Sequence, residues 1–425
     1  MVGAGGAGFP THVKLDAQVE FYIVNGAECE PLLDKDKELM QAYPEQIVEG
    51  LRRAMEATGA RKGVIGVKGK NKDATDALQL AIGGADDVEM LPLGNFYPAG
   101  DEFVLVYDAT GRLIPSGGIP PQVGVAVNNV ETLLNVQAEM PVVDTFLTVC
   151  GAVRTPITVK VPVGTPGEDL VRLAGGPEAD EYVTLYGGIM MGRLTDPSAP
   201  VTKTTGGIVV LPRDHPLAIR KGLSEAAITL RGKSACDQCT DCTELCPRYL
   251  LGYAIEPHKA MRSLGFGGEQ KELWSRHALL CCECSLCNLY ACPEDLDPKE
   301  VCARSKATLM GQGVRWDTTG EELKLHPMQP FRRVPIDRLT TRLGMAPYDK
   351  PAPLSEEAYT PPYVTIPLKQ HVGASARPAV KVGVHVVRDD LIGEIPEGRL
   401  GARVHASISG TVTEVGDYVR IERRA

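Results

Sequence analysis

The chain has 425 residues, more than one small core organises, so about two to four domains are expected. Its 45 basic and 54 acidic residues leave a net charge of −9, which excludes a nucleic-acid binder working through a basic surface. No apolar run reaches the ~18 residues of a membrane span. The opening MVGAGGAGFP has no basic stretch followed by an apolar core, so no export signal is read and a cytoplasmic protein is expected. Glycine (45) and proline (32) are over-represented while aromatic residues make only 5%, which points to turns and loops and excludes a coiled coil.

Taken in chain order, residues 1–145 read as alternating α/β. A glycine-rich opening precedes a strand at 19–25, and a helical stretch at 34–57 is interrupted at Pro44. Residues 62–67 (KGVIGV) look like a buried strand and 73–82 like a helix. On propensity alone 103–107 (FVLVY) is a strand. Residues 146–213 are rich in β-branched residues punctuated by turn formers, which predicts short strands. Residues 216–310 turn helical. From 326 to about 362 the prolines predict an extended connector. The remainder returns to short strands between glycines.

The cysteines carry the chemistry, for nine of the twelve fall between Cys236 and Cys292. Cys236, Cys239, Cys242 and Cys246, followed by Pro247, give C-x2-C-x2-C-x3-C-P, the bacterial ferredoxin spacing for a [4Fe–4S] cluster. Cys281, Cys284, Cys287 and Cys292, followed by Pro293, repeat it with one extra residue before the last cysteine. In two-cluster ferredoxins the fourth cysteine of each run serves the other cluster. Cys236, Cys239, Cys242 and Cys292 are therefore assigned to one cluster, and Cys281, Cys284, Cys287 and Cys246 to the other. Structural zinc is the competing reading, but it prefers two distant knuckles with four ligands in all. Cys282 breaks the spacing and is read as a neighbour. Cys29, Cys150 and Cys302 are isolated and read as buried apolar thiols. His12, His215, His258 and His277 are scattered, which suggests structural or solvated roles.

The opening Gly3-Ala4-Gly5-Gly6-Ala7-Gly8-Phe9-Pro10 lets backbone N–H groups approach a phosphate. It is not a dinucleotide fingerprint, because no strand precedes it. Alone it is a turn as readily as a ligand loop. Three further motifs follow in order: Asn25-Gly-Ala-Glu28-Cys29-Glu30-Pro31, Tyr97-Pro-Ala-Gly100-Asp101-Glu102 and Val127-Asn128-Asn129-Val130-Glu131-Thr132.

With the opening loop, these motifs resemble the flavin-binding subunit of respiratory complex I and, more closely, the RnfC/PduS family. The resemblance implies FMN and NADH as cofactors beside the two [4Fe–4S] clusters. Position by position, Gly3, Gly5, Gly6, Ala7, Gly8 and Phe9 would form the flavin and nucleotide loop, and Lys14 would meet the FMN phosphate. Asn25 and Glu28 match flavin-site polar residues. Asn128, Asn129 and Thr132 would close round the phosphate and ribityl chain. Tyr97, Gly100, Asp101 and Glu102 match the element under the flavin and nicotinamide, where the family has a helix, against the strand propensity of 103–107. Two departures stand out: Ala27 replaces an aspartate of complex I, and the family's helix before the glycine loop has no counterpart here.

The resemblance extends over nearly the whole chain and implies a multi-domain α/β protein. Its parts are an FMN/NADH-binding α/β domain (1–145), an SLBB β-grasp domain (146–215), a helical ferredoxin-like domain with two clusters (216–325), a Pro-rich connector (326–361) and an all-β barrel-sandwich hybrid (362–425). The last resembles biotinyl and lipoyl carriers, but near its expected tip it offers only Arg399 and Arg403 where a carrier needs lysine. Its position after the clusters favours the PduS branch, cobalamin reductases of propanediol-type bacterial microcompartments. The implied partners are NADH, cobalamin or a cobalamin-handling enzyme such as an adenosyltransferase, and the microcompartment shell. No corrin-binding D-x-H-x-x-G signature is found. An RnfC-like subunit of an ion-translocating ferredoxin:NAD oxidoreductase is the alternative. A non-enzymatic two-cluster carrier without flavin is a third reading.

Overall fold

The computed structural model describes residues 1–423. The first unit is a four-stranded parallel sheet in the order β3-β2-β1-β5, built from β1 (Phe21–Gly26), β2 (Lys62–Lys68), β3 (Val88–Leu93) and β5 (Val125–Asn129). The two-residue β4 (Phe96–Tyr97) lies outside it. Tyr22, Ile23 and Val24 are wholly buried in succession, as befits a central parallel strand covered on both faces. Helices α1 (Thr11–Leu15), α2 (Lys35–Ala42), α3 (Pro44–Thr58), α4 (Lys72–Ile82), α5 (Glu102–Thr110) and α6 (Val130–Ala138) supply that cover. Pro44 opens α3, where its missing N–H costs nothing, so the predicted interruption falls between two helices. Residues 103–107 are helical, as the family resemblance implied and propensity did not. Asp101 caps α5 by accepting from Phe103 N and Val104 N at 3.1 and 3.2 Å, and burial of Val104, Leu105 and Val106 holds those β-formers in a helix.

The second unit is a five-stranded mixed sheet, β7-β6-β10-β8-β9. Its strands are β6 (Asp144–Gly151), β7 (Ile157–Pro162), β8 (Tyr182–Tyr186), β9 (Arg193–Thr195) and β10 (Gly207–Pro212), with α7 (Gly167–Leu173) across it. Short helices follow: α8 (Pro216–Lys221), α9 (Glu225–Ala235), α10 (Asp241–Glu244), α11 (Pro247–Leu250), α12 (Pro257–Ser263), α13 (Gly268–Ser275) and α14 (Pro298–Gly311). They share one core with the first unit, where Val104 and Leu105 join Tyr253, Ile255 and Cys302.

The proline-rich stretch, expected to be extended, is partly folded. It adds β11 (Val334–Pro335), paired antiparallel with β4, and a helix, α15 (Ile336–Arg342). Burial of Ile336 and Leu339 explains the difference: packing overrides composition. The final unit has two small sheets. One contains β12 (Tyr363–Pro367), β14 (His385–Val386), β17 (Gly410–Val415) and β18 (Tyr418–Glu422); the other has β13 (Arg377–Pro378), β15 (Leu391–Glu394) and β16 (Val404–His405). No helix among the described residues is long and apolar enough to cross a membrane.

Helices α3 and α6 cross at Gly50, where an added Cβ would run into the Leu133 carbonyl. An exposed Gly→Ala change in a helix gains ~1 kcal/mol, whereas overpacking costs ~1–3 kcal/mol. Gly50→Ala is therefore expected to lower stability in a denaturant melt, and an unchanged or raised midpoint would refute the close crossing.

Candidate functional site

In the first sheet the chain runs from β1 outward through β2 to β3, then crosses back to β5 on the other side of β1. The carboxyl ends of β1 and β5 therefore flank a topological switch point, the place where open parallel sheets bind ligands. The predicted polar residues gather there. Asn25, next to the last residue of β1, donates from Nδ2 to Gly100 O at 2.9 Å. A Cβ on Gly100 would lie 3.3 Å from Asn25 Oδ1 and 3.2 Å from Cys29 Sγ, so any larger residue here would crowd both side chains. Asn129 ends β5, and its Oδ1 accepts from Glu131 N at 3.0 Å to cap α6. Two nine-residue helices, α5 and α6, thus begin at the site with their positive ends toward it.

The glycine loop closes on itself through Gly3 N to Phe9 O (3.0 Å). Thr132 pins it, accepting from Ala4 N at 3.0 Å. Gly5, Gly6 and Ala7 are exposed. Gly6 has φ +87 with nothing within 4 Å of an added Cβ; it is an open cradle. Gly8 is buried and passes its carbonyl to Val372 N of the last unit at 2.9 Å. Lys14 stands at the rim, 3.2 Å from Glu102 Oε1 and 2.7 Å from Val127 O. A cradle of exposed backbone, two helix N-termini and a lysine is the donor set a flavin phosphate requires.

Some predicted residues turn elsewhere. Asn128 donates to the Tyr22 hydroxyl at 2.5 Å. The Glu28 carboxylate accepts from Asp36 N (2.7 Å) and Lys37 N (2.9 Å) at the start of α2. Burial first, then the charge of Asp36, pushes Glu28 up to about 8. Tyr97 points its hydroxyl away, donating to Cys284 O at 2.7 Å. Sequence reasoning missed a buried ionic set beneath the site: Lys35 lies 2.9 Å from Glu131 and 3.3 Å from Asp36, and Asn129 Nδ2 reaches Asp36 at 2.6 Å. Its one signal is the alternation Asp34-Lys35-Asp36-Lys37, which reads as a solvated helix face. Arg248 was also missed, 2.9 Å from Asp101 and stacked 3.5 Å over Phe103.

The cysteines form two groups. Cys236, Cys239, Cys242 and Cys292 line one cavity. Cys246, Cys284 and Cys287 lie near one another, and burial is the first cause raising each thiol except Cys284, where the bond to Cys282 comes first. Cys281 adjoins them, in contact with Cys302. Among the described residues no three such side chains close on a single ion; four cysteines round one cavity, at ferredoxin spacing, are the donor set of a cubane. The extra residue before Cys292 is absorbed by a π-helical turn at Cys287–Ala291, the usual way a helix takes up one residue. Cys282 also lies within this second group. Cys150 and Cys302 are wholly buried, whereas Cys29 is half-buried beside Gly100. His215 caps α8 through Nδ1 at 3.2 Å from Leu217 N, and His258 meets Thr243 Oγ1 at 2.7 Å.

Comparison with known proteins matches each unit. Residues 1–138 match the Nuo51 FMN-binding domain, 146–194 the SLBB domain, 235–297 a 4Fe-4S dicluster domain and 350–424 the RnfC barrel sandwich hybrid domain. Cobalamin reductase PduS of Salmonella typhimurium is 43% identical over 98% of this chain and 93% of its own length. The Citrobacter freundii protein of the same name is 43% identical over 98% and 92%. A subunit of the Na(+)-translocating ferredoxin:NAD(+) oxidoreductase complex of Acetobacterium woodii is 37% identical, but over 59% of this chain and 56% of that one. The chain belongs to the PduS family.

Proposed function

We propose that this chain is an NADH-dependent flavin and iron–sulfur oxidoreductase whose acceptor is the cobalt of cobalamin. The observation that carries the reading is the direct joint between its two cofactor sites. Asp101 begins the flavin-site helix and grips Arg248, two residues after Cys246, while Tyr97 bonds the Cys284 carbonyl. FMN supplies the conversion of a two-electron hydride into single electrons, and [4Fe–4S] clusters carry electrons singly.

The residues assigned to FMN and NADH are Gly3, Gly5, Gly6, Ala7, Gly8, Phe9, Lys14, Asn25, Glu28, Tyr97, Gly100, Asp101, Glu102, Asn128, Asn129 and Thr132. Their roles are positional: the loop offers N–H groups, Lys14 a cation, and α5 and α6 their positive ends. The clusters are assigned to Cys236, Cys239, Cys242 and Cys292, and to Cys281, Cys284, Cys287 and Cys246. An adenosyltransferase and a microcompartment shell are the partners this function would need, the first because reduced cobalamin must be consumed where it forms.

Two measurements test the reading. Anaerobically purified protein is expected to hold about eight irons and one FMN bleached by NADH; a spectrum without flavin overturns the enzyme reading. Cys282→Ser is expected to keep that iron and Cys284→Ser to lose about half; equal losses would make Cys282 a ligand.

Glu28 supplies a pH test. Its folded pKa of about 8 lies above the ordinary value of 4.5, so the folded state binds the proton more tightly between those values. Stability therefore falls as pH rises from about 5 through 8. Urea midpoints of the holoprotein are expected to fall across that window, and to fall less in Glu28→Gln; parallel curves would show that Glu28 does not titrate there.

A further inference from the structure

The second cysteine group is enclosed: Cys246, Cys281, Cys284 and Cys287 are all buried. The first reaches the surface at Cys239, which is exposed. A hollow of about 730 Å³ is lined by Tyr290, Ala291, Pro293 and one face of α15. That helix buries Ile336, Leu339 and Thr340 and turns Asp337, Arg338, Thr341 and Arg342 outward. Pro293 lines both the hollow and the cavity between the four sulfurs, so the two share a wall. Arg342 fastens that wall, donating to Cys292 O at 3.1 Å.

We propose that this hollow is the seat of the corrinoid acceptor, an inference that rests on the function proposed above. The hollow is open to solvent, so it would receive one edge of the corrin ring and not enclose the molecule. A corrinoid is a flat ring rimmed by primary amides, each both donor and acceptor, with one phosphodiester in its nucleotide loop. Asp337 accepts, the Thr341 oxygen accepts while its proton goes to Asp337 O at 2.8 Å, and Arg338 with the remaining N–H groups of Arg342 donates to amide carbonyls or to the phosphodiester. Tyr290 adds an aromatic wall. An acidic protein acceptor fits less well, because Asp337 lines the hollow and exposed Glu294 and Asp295 follow Pro293 in the chain, and these would repel it. The overall reaction balances as one NADH and two cob(III)alamins giving NAD⁺, one proton and two cob(II)alamins.

The test uses holoprotein and hydroxocobalamin, with binding read by ultrafiltration before any NADH is added. Thr341→Trp should obstruct the hollow and Arg338→Glu should remove a donor; both side chains are exposed, so folding is spared. Each variant is expected to weaken hydroxocobalamin binding at least tenfold and slow its reduction, with cluster absorbance and NADH:ferricyanide turnover unchanged. If wild type binds and reduces hydroxocobalamin and both variants match it, the seat is wrong and the function stands. If wild type neither binds nor reduces it while ferricyanide is turned over, the acceptor reading itself falls, and the seat with it.

Discussion

The carboxylate of Asp101 joins the two halves of this electron-transfer architecture. One oxygen caps α5, fixing the helix that opens at the flavin site. The other holds Arg248 at 2.9 Å, with both side chains about nine-tenths buried. Burial alone would pull the arginine down, but Asp101 outweighs it and keeps the guanidinium charged. A pair in this setting adds little net stability against an apolar substitute, yet losing one partner strands a buried charge at ~3–5 kcal/mol. What it secures is registry. Arg248 follows Cys246 by two residues and lies flat on Phe103, so the cysteine run cannot shift without dragging the flavin-site helix.

Beneath the flavin site, a second buried ionic set shapes the switch point. Lys35 serves Asp36 and Glu131 together, and those attractions outweigh a desolvation that would otherwise discharge it. Glu131 also accepts from Phe146 N of the mixed sheet at 3.1 Å. The set thereby ties the floor of the site to the neighbouring unit. Glu30 does likewise from the adjacent loop, receiving Met190 N and Met191 N at 2.9 and 2.7 Å. In both places a carboxylate of the first unit satisfies backbone donors of the second, so the β-grasp sheet acts as a brace for the site.

Much of this was legible in the sequence, for identifiable reasons. Metal ligation constrains spacing so tightly that the two cysteine runs declare themselves, and the crossed ligand assignment rests on the way two-cluster ferredoxins exchange their fourth cysteines. The glycine loop was legible only in company, since a turn and a phosphate cradle use the same residues. The fate of 103–107 was hidden from propensity, because a cap at 101 and burial on one face decide it. α15 was hidden by the prolines around it: its apolar positions acquire meaning only once the cluster helices provide a surface to bury them. The ion pairs were hidden most completely. Lys35 and Arg248 have partners 96 and 147 residues away, and no local pattern signals such a distance.

The last unit shows how one fold can change duty. In a biotinyl or lipoyl carrier the hairpin tip must swing, presenting its lysine to distant sites. Here the equivalent hairpin, between β15 and β16, is bound down: His371 Nε2 meets Ala402 N at 2.8 Å, Ala374 N donates to Leu400 O at 2.9 Å, and Arg403 pairs with Glu394. The stretch between β12 and β13 that fastens this tip also grips the glycine loop through Val372 N and Gly8 O. Gln370 takes Lys203 N at 3.0 Å, and burial pushes the Lys203 amine down to about 8 in the joint. A tip fastened at this many points has no reach, which agrees with Arg399 and Arg403 standing where a carrier needs lysine. The module that elsewhere swings a tip here holds the glycine loop still.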